Sequence, residues 1–307
     1  FHFFEGRNKE YIFARNQGTG YSDNIHQEKC MAANGMGGWS GLCPTQELVD
    51  AYEMANGSTP IIGYNADGTP IINGASGYSE TGFAATAGKH YPAGVYNMYV
   101  GREPRFYASI NFNGQQWRGR QLEFWQGGKD GINVSKVDYC CTGYLLRKTA
   151  DEGVDVINGK GGMKEASILF RVGSLYLDYA EALNEAEGPV DDVYKYVDAI
   201  RKRAGLPGLA KGLDKDKMRE RIQHERQIEL AFEAGHRYFD CHRWKIAEKT
   251  DNGYMHGMNI TATNKVDYSK RSTVGDSRVF EKKHYLFPIP QSEMDKRIGL
   301  VQSPYWE

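Results

Sequence analysis

The sequence predicts a mainly α-helical protein in which helical hairpins pack against an irregular, loop-rich lobe with short strands. From Ala166 to Lys249, apolar residues recur every three or four positions, which is the spacing of helices with one buried face. Residues 1–165 instead carry short apolar pieces separated by Gly, Asn and Ser, which is typical of loops and short strands. With 307 residues, the chain can bury a sizeable core without disulfides or metal ions. We therefore expect two regions, 1–165 and 166–307, that form one continuous structural unit.

The first region contains one clear helix signal, at residues 44–55. Pro44 suits the first turn of a helix, and Leu48, Ala51 and Tyr52 recur on one face. Elsewhere in this region, short apolar pieces such as 11–14 and 106–110 lie between glycine-rich segments. We expect these pieces to form short strands between loops.

The second region predicts four helices, at residues 172–186, 191–204, 215–234 and 237–248. Gly188 and Gly205 end the first two helices, and Gly235 separates the last two with an expected positive φ. Charged side chains of the last two helices, among them Arg226 and Asp240, can pair with each other. The two hairpins are similar to tetratricopeptide-type units, but two units are too few for a free-standing solenoid. The tail at 285–290 is expected to be extended, because each proline disfavours a helical residue before it.

Charge and cysteine content exclude several classes of protein. Lys and Arg number 38 against 39 Asp and Glu, without a block of like charges, which argues against a nucleic-acid-binding protein. No run approaches the 18 apolar residues that a membrane-spanning helix needs. The 5 cysteines form no C-x-x-C pair, so neither a zinc ribbon nor a thioredoxin-type site is indicated. Whether Cys30 and Cys43 close a short loop as a disulfide stays open.

Familiar catalytic and metal motifs are missing from the sequence. The segment 224–228, HERQI, begins like a zinc-protease helix but has Ile228 where the second histidine ligand is required. The glycine-rich segments lack the Lys-Ser/Thr pair of a phosphate loop, and no Gly-x-Ser-x-Gly elbow is present. We therefore predict no catalytic residue, no metal site and no cofactor. A pair of distant carboxylates, as in glycosidases, stays open.

Five segments, in order along the chain, resemble the SusD/RagB family, the surface nutrient-binding lipoproteins of Bacteroidetes-type outer membranes. They are residues 44–52 (PTQELVDAY), 102–107 (REPRFY), 179–185 (YAEALNE), 224–233 (HERQIELAFE) continued by 235–240 (GHRYFD) and 243–244 (RW), and 288–295 (PIPQSEMD) followed by Gly299, Leu300 and Pro304. The opening piece 10–14 (EYIFA) is also similar.

This resemblance implies a SusD-like fold and a non-catalytic function. Family members bind oligosaccharide or polysaccharide nutrients, or peptides in the RagB type, and deliver them to a TonB-dependent SusC-like transporter. The resemblance implies a surface-exposed lipoprotein of the outer membrane. The signal peptide, the lipidated cysteine and the first helical repeats of the family have no counterpart here, so we expect the membrane anchor outside this chain.

A glycan site needs exposed aromatic faces, on which sugar rings stack, with amides and arginines around them. Trp117 lies between Gly114 and Gly119 in a polar segment, on an expected hairpin tip, and Trp39 lies in a glycine-rich loop. The candidate ligand-binding residues are Trp117, Trp39, Tyr78, Trp125, Asn113, Gln116, Arg118 and Arg120. The alternative, that each aromatic only caps the core locally, stays open.

Two functions of other classes compete with nutrient binding. One is a glycoside-processing enzyme that uses distant carboxylates. The other is a helical-repeat scaffold that binds a protein and no small ligand. The aromatic, glycine-rich half is more than a scaffold needs, which makes the second rival the weaker one.

Overall fold

The computed structural model describes residues 9–16, 21–132, 137–160, 166–233, 235–296 and 298–306. In these ranges the α-helices are α1 (Tyr21–Met31), α2 (Gln46–Ala51), α3 (Pro104–Ser109), α4 (Val172–Glu187), α5 (Asp191–Arg203), α6 (Lys215–Glu229), α7 (His236–Arg243), α8 (Ala247–Thr250), α9 (Lys265–Tyr268) and α10 (Gln291–Met294). Short 3₁₀ turns lie at Asn34–Met36, Asn97–Tyr99 and Lys282–Tyr285. The expected combination of helices with short strands is confirmed.

The strands of the described residues form two-stranded antiparallel sheets. They are β1 (Tyr11–Asn16), β2 (Ile61–Tyr64), β3 (Pro70–Ile72), β4 (Ile110–Phe112), β5 (Gln116–Trp117), β6 (Arg120–Gln121), β7 (Tyr144–Leu146), β8 (Ala166–Arg171), β9 (Gly253–Met258) and β10 (Arg271–Arg278). The pairs are β1 with β8, β2 with β3, β4 with β7, β5 with β6 and β9 with β10. Two of these pairs, β1–β8 and β4–β7, join segments that are far apart in sequence.

The helical half follows its predicted apolar stripes. α4 and α5 form the first hairpin, α6 packs against α4, and a shared core buries Ala180, Val193, Tyr194, Val197, Leu209, Met218 and Ile222. Gly188 and Gly205 take positive φ at the ends of α4 and α5, and Gly235 takes φ 74° before α7. These positions therefore have the conformation that the sequence predicts for them.

The last two helices are shorter than expected. α6 ends at Glu229, because the chain leaves the helical conformation and Phe232 takes φ 65°. The single helix expected at 237–248 is divided into α7 and α8, with Lys245 at φ 58° between them. The expected charge pair between the last helices is present, since Nε of Arg226 lies 2.8 Å from an Asp240 carboxylate oxygen.

The loop-rich lobe has an aromatic core. It includes Tyr52, Tyr99, Phe106, Tyr107, Phe112, Trp117, Phe124 and Tyr144, together with Ile228, Met258 and Tyr268 from beyond residue 165. The segment 106–110, expected as a strand, is mostly the helix α3, because Pro104 has the backbone angle of a first helical turn. The helix expected at 44–55 is the shorter α2. The division at residue 165 stays a prediction.

A buried ion cluster connects the lobe to the helices. Glu229 of α6 accepts hydrogen bonds from Arg171 at 2.9 Å, Arg105 at 3.1 Å and Arg203 at 2.5 Å. Arg171 also donates to Glu10 at 2.9 Å, next to β1. Because these residues come from α3, α5, α6 and β8 and from the position just before β1, the cluster joins five parts of the chain.

The cysteines are free thiols in the described residues, so Cys30 and Cys43 are not bridged. The Sγ atom of Cys43 instead lies 3.7 Å from that of Cys140. Within the same ranges, no three or more His, Cys, Asp and Glu side chains are grouped to hold a metal ion. No described helix is both long enough and apolar enough to cross a bilayer.

Candidate ligand-binding cleft

An open cleft of about 670 Å³ lies on the surface of the loop-rich lobe. Its lining comprises residues 88–92, Pro104, Tyr107, Ala108, Gln115, Gln116 and Arg147. The strand pair β4–β7 sets Ile110 opposite Leu146, and the amide of Arg147 donates to the carbonyl of Ser109 at 2.8 Å. This pairing therefore brings Arg147 beside the end of α3.

Aromatic rings stack along one side of the cleft. The ring of Tyr107 lies 5.2 Å from that of His90 at an angle of 22°, and 6.1 Å from that of Tyr91 at 27°. The hydroxyl of Tyr107 donates to the carbonyl of Tyr99 at 2.5 Å and accepts from the amide of Arg102 at 3.2 Å, which fixes the ring. Burial raises the pKa of Tyr107 to about 12, so its hydroxyl stays protonated.

His90 is the most exposed ring of this stack. Burial, followed by the charges of Lys89 and Arg147, lowers the pKa of its imidazole below the ordinary 6.5. The ring that stacks on Tyr107 at neutral pH is therefore the uncharged imidazole. An uncharged, flat ring beside Tyr91 offers the kind of apolar face on which a sugar ring stacks.

Arg147 adds a cationic side chain to the cleft lining. Its guanidinium carbon lies 4.7 Å from the centre of the Trp117 ring, and its Nη1 donates to the carbonyl of Tyr107 at 2.9 Å. Burial lowers the pKa of this guanidinium, although an arginine remains charged at neutral pH. Gln116 is exposed beside it and can donate or accept hydrogen bonds.

The expectation that Trp117 projects as an exposed indole is wrong. The residue does lie next to a hairpin turn, in β5 opposite Arg120, but its side chain is only 4% exposed. It belongs to the aromatic core, and the guanidinium groups of Arg147 and Arg118 lie over its ring. The apolar area of the indole is thus covered by the protein itself.

The polar neighbours of Trp117 divide into one cleft residue and three that hold the lobe together. Gln116 lines the cleft. Asn113 is buried and accepts from the amide of Phe124 at 2.9 Å. Arg118 pairs with Glu28 and donates to the carbonyl of Asp151 at 2.7 Å. Arg120 pairs with Asp130 through two hydrogen bonds of 2.6 and 2.7 Å.

The other predicted aromatics lie outside the cleft lining. Trp39 keeps 38% of its side chain exposed and stacks on His26 at 5.5 Å. Tyr78 is buried, and its hydroxyl donates to Glu80 at 2.7 Å. Trp125 is half-buried with the Lys265 ammonium 5.3 Å from its ring centre. The binding role of these residues stays a prediction, with Trp39 the best exposed of them.

Sequence reasoning missed the residues that build most of the cleft. Tyr91 and Tyr107 stand in the aromatic-rich stretch between 78 and 125, but nothing local distinguishes them from the core aromatics around them. Arg147 has no local signal, because the pairing of β4 with β7 brings it to the cleft. Two sequence features do lead to this place: the segment 102–107, which carries part of the family resemblance, and the candidate residue Gln116.

A second cleft, of about 630 Å³, lies between α2, β2 and the segment from α6 to β9. Its lining mixes acids such as Glu47 with bases such as Arg237, so its charges largely balance. The carboxylate of Asp50 there is already bound by Arg271, at 2.7 and 2.9 Å. We take the first cleft as the candidate site, because it combines stacked rings with an arginine that no described carboxylate pairs.

Comparisons with known proteins give a consistent result. A model of the SusD family matches residues 5–306. Two curated proteins of Formosa agariphila are similar: SusD-like protein P25, 42% identical over 82 residues (26% of this chain and 15% of that protein), and SusD-like protein P2, 29% identical over 154 residues (47% and 26%). The solved structure of a SusD-like protein from Bacteroides fragilis is 30% identical with a TM-score of 0.72. That match covers 97% of this chain and 55% of the relative, so the chain spans about half its length.

Proposed function

The chain belongs to the SusD family, and from this we propose that it binds oligosaccharide or polysaccharide nutrients, without cleaving them, in the cleft beside Tyr107. The observation that carries the proposal is the stack of rings formed by His90, Tyr107 and Tyr91, which shares one cleft lining with Arg147 and Gln116. Sugars present an apolar face that stacks on aromatic rings, and hydroxyls that need hydrogen-bond partners at the rim. The cleft supplies both.

Binding without hydrolysis agrees with the chemistry of the lining. Glycosidases act through two carboxyl groups on either side of the scissile bond. Among the residues that line the cleft in the described part of the chain, there is no Asp or Glu. This favours a binding site over the rival proposal of a glycoside-processing enzyme at this place.

We further propose that the protein acts as a surface lipoprotein of the outer membrane and passes its glycan to a TonB-dependent SusC-like transporter. Membership of the SusD family supports this proposal. The test is affinity purification of the complete protein from native membranes in mild detergent. Recovery of a barrel transporter would support delivery, whereas repeated recovery of the protein alone would contradict it.

The site is tested by replacing Tyr91 with alanine and measuring glycan binding by calorimetry, after a glycan array has identified a ligand. Tyr91→Ala removes a stacking face, so we expect binding to weaken about tenfold or more. Tyr254→Ala is the matched control, because Tyr254 is exposed and lies outside the cleft lining. We expect no change for this control.

Two further outcomes separate the alternatives. If Trp39→Ala abolishes binding while Tyr91→Ala leaves it unchanged, the ligand binds at Trp39 and the proposed cleft is wrong. If the array shows no glycan but a peptide library yields ligands, the peptide-nutrient function of RagB type replaces glycan binding.

A further inference from the structure

Arg147 differs from the other arginines of this lobe in the groups that its guanidinium contacts. Arg105, Arg118 and Arg120 each form an ion pair with a carboxylate. Arg102, which is fully buried, donates to three backbone carbonyls. Arg147 is half-buried and donates to one backbone carbonyl. No carboxylate among the described residues forms an ion pair with it, and only the charge of Glu152, beyond ion-pair distance, partly offsets the burial of its guanidinium. Removing a cation from water without a directly bound counter-charge is unfavourable, so its position in an open cleft needs an explanation.

The remaining lining of the cleft adds donors and no negative charge. Lys89 contributes a second basic side chain, and the described lining contains no Asp or Glu. Gln115 is only 2% exposed, and its Nε2 group finds no acceptor among the described residues. The cleft therefore offers an excess of hydrogen-bond donors, and a complementary ligand must be rich in acceptors and negatively charged.

We propose that this cleft selects anionic glycans, in which uronate carboxylates or sulfate esters accept hydrogen bonds from Arg147 and Lys89. The inference rests on the proposed glycan binding, since the sugar rings stack on His90 and Tyr91 while the charged groups face the cations. The planar guanidinium of an arginine presents two parallel donors, which match the two oxygens of a carboxylate or a sulfate. A neutral glycan would leave Arg147 without a directly bound carboxylate or sulfate, with only the charge of Glu152 nearby.

The test compares three oligosaccharides of equal length by calorimetry: an oligogalacturonate, a sulfated galactan fragment and a neutral galactan fragment. We expect the best anionic ligand to bind at least about tenfold more tightly than the neutral one. The preference should shrink as salt rises from about 0.05 M to about 0.5 M, because ions screen the attraction. Preference for the first or the second anionic probe identifies carboxylate or sulfate as the recognised group.

Variants that remove a positive charge test whether the anionic preference arises in the cleft. Lys89→Gln changes an exposed side chain and should weaken anionic binding several-fold, and it should affect binding of the neutral fragment much less. Arg147→Gln should remove most of the preference, and Arg147→Lys should restore part of it. Lys129→Gln is the matched control, since Lys129 is exposed and outside the lining. Melting temperatures of all variants show whether Arg147→Gln also disturbs the fold.

The outcomes distinguish this inference from the function on which it rests. Equal affinity for neutral and anionic probes would overturn the anionic preference and leave glycan binding intact. The inference would also be overturned if Lys129→Gln reduced the anionic preference as much as Lys89→Gln does. The attraction would then be a general effect of positive charge and not a property of the cleft. Failure to bind any glycan would instead contradict the proposed function itself.

Discussion

Trp117 is buried beneath the guanidinium of Arg147 and is not among the residues that line the cleft. Arg147 lies over the indole and donates to the carbonyl of Tyr107, so the ring and the carbonyl together hold the guanidinium in place. A cation above an aromatic face is attracted by the ring, and this attraction becomes stronger where water is excluded. The indole therefore affects the ligand through the position of Arg147.

Replacing Trp117 by alanine should consequently be a stability change first. Because the side chain is buried in the aromatic core, we expect the free energy of unfolding to fall by about 3–5 kcal/mol, measured by urea denaturation. Trp39→Ala is the control, and we expect a loss below about 1 kcal/mol because that side chain is partly exposed. A stable Trp117→Ala variant that loses only ligand binding would show that the indole contacts the ligand.

At the scale of elements, the ion cluster around Glu229 makes the packing of α6 sensitive to acid. Burial alone would raise the pKa of Glu229, but the charges of Arg171, Arg203 and two further cations lower it from 4.5 to about 2. A carboxyl group whose pKa is lower in the folded state than in the unfolded chain stabilises the fold at pH values above its unfolded-state pKa. This contribution is lost as the pH falls from about 4.5 towards 2.

We expect the wild-type protein to lose about 3 kcal/mol more stability than Glu229→Gln when the pH falls from 4.5 to 2. At pH 7 the variant should already be the less stable of the two, because it removes the buried carboxylate that Arg171 and Arg203 share. Urea denaturation at several pH values measures both effects. Glu185→Gln is the control: Glu185 pairs with Arg219 at the surface, and its loss should have little effect. Parallel pH curves for wild type and Glu229→Gln would contradict this assignment.

The elements that could be predicted are those whose signal is local. α4 and α5 each carry one apolar stripe and a glycine at the end, and their bounds match the expectation within a few residues. α3 could not be predicted correctly, because its apolar residues fill a buried core on several sides and show no clear helical stripe. The cleft could not be predicted for another reason. It depends on the β4–β7 pairing, which joins Ile110 to Leu146, and nothing in either segment indicates its partner strand.

At the scale of the whole molecule, the β1–β8 ribbon exposes apolar side chains on both faces. Neighbouring residues of a strand point to opposite faces, and Ile12, Phe13, Leu169 and Phe170 are all exposed. Leu175 and Tyr179 of α4 are exposed as well. A two-stranded ribbon is marginally stable in water unless something packs on it, so this region is prone to association.

We therefore expect the chain studied in isolation to self-associate through the ribbon. Sedimentation velocity over a concentration series should show larger species as the concentration increases. Replacing Phe13 and Phe170 together by serine removes a cross-strand aromatic pair and should shift the distribution towards monomer. Ile62→Ser, which changes an exposed apolar residue of β2, is the control. A monomer at all concentrations, or an effect of Ile62→Ser alone, would contradict the role of the ribbon.

The contact between Glu10 and Arg171 also has a consequence for the order of events during synthesis. The two residues are 161 positions apart, and the same closure pairs β1 with β8. A ribosome must therefore add 161 residues after Glu10 before Arg171, at the end of β8, has been made. Until then the first strand has an unpaired edge and apolar side chains, which is a state that favours contacts with other nascent chains. Closing so long a loop costs conformational entropy before any contact compensates for it, so the ribbon belongs to the late steps of folding.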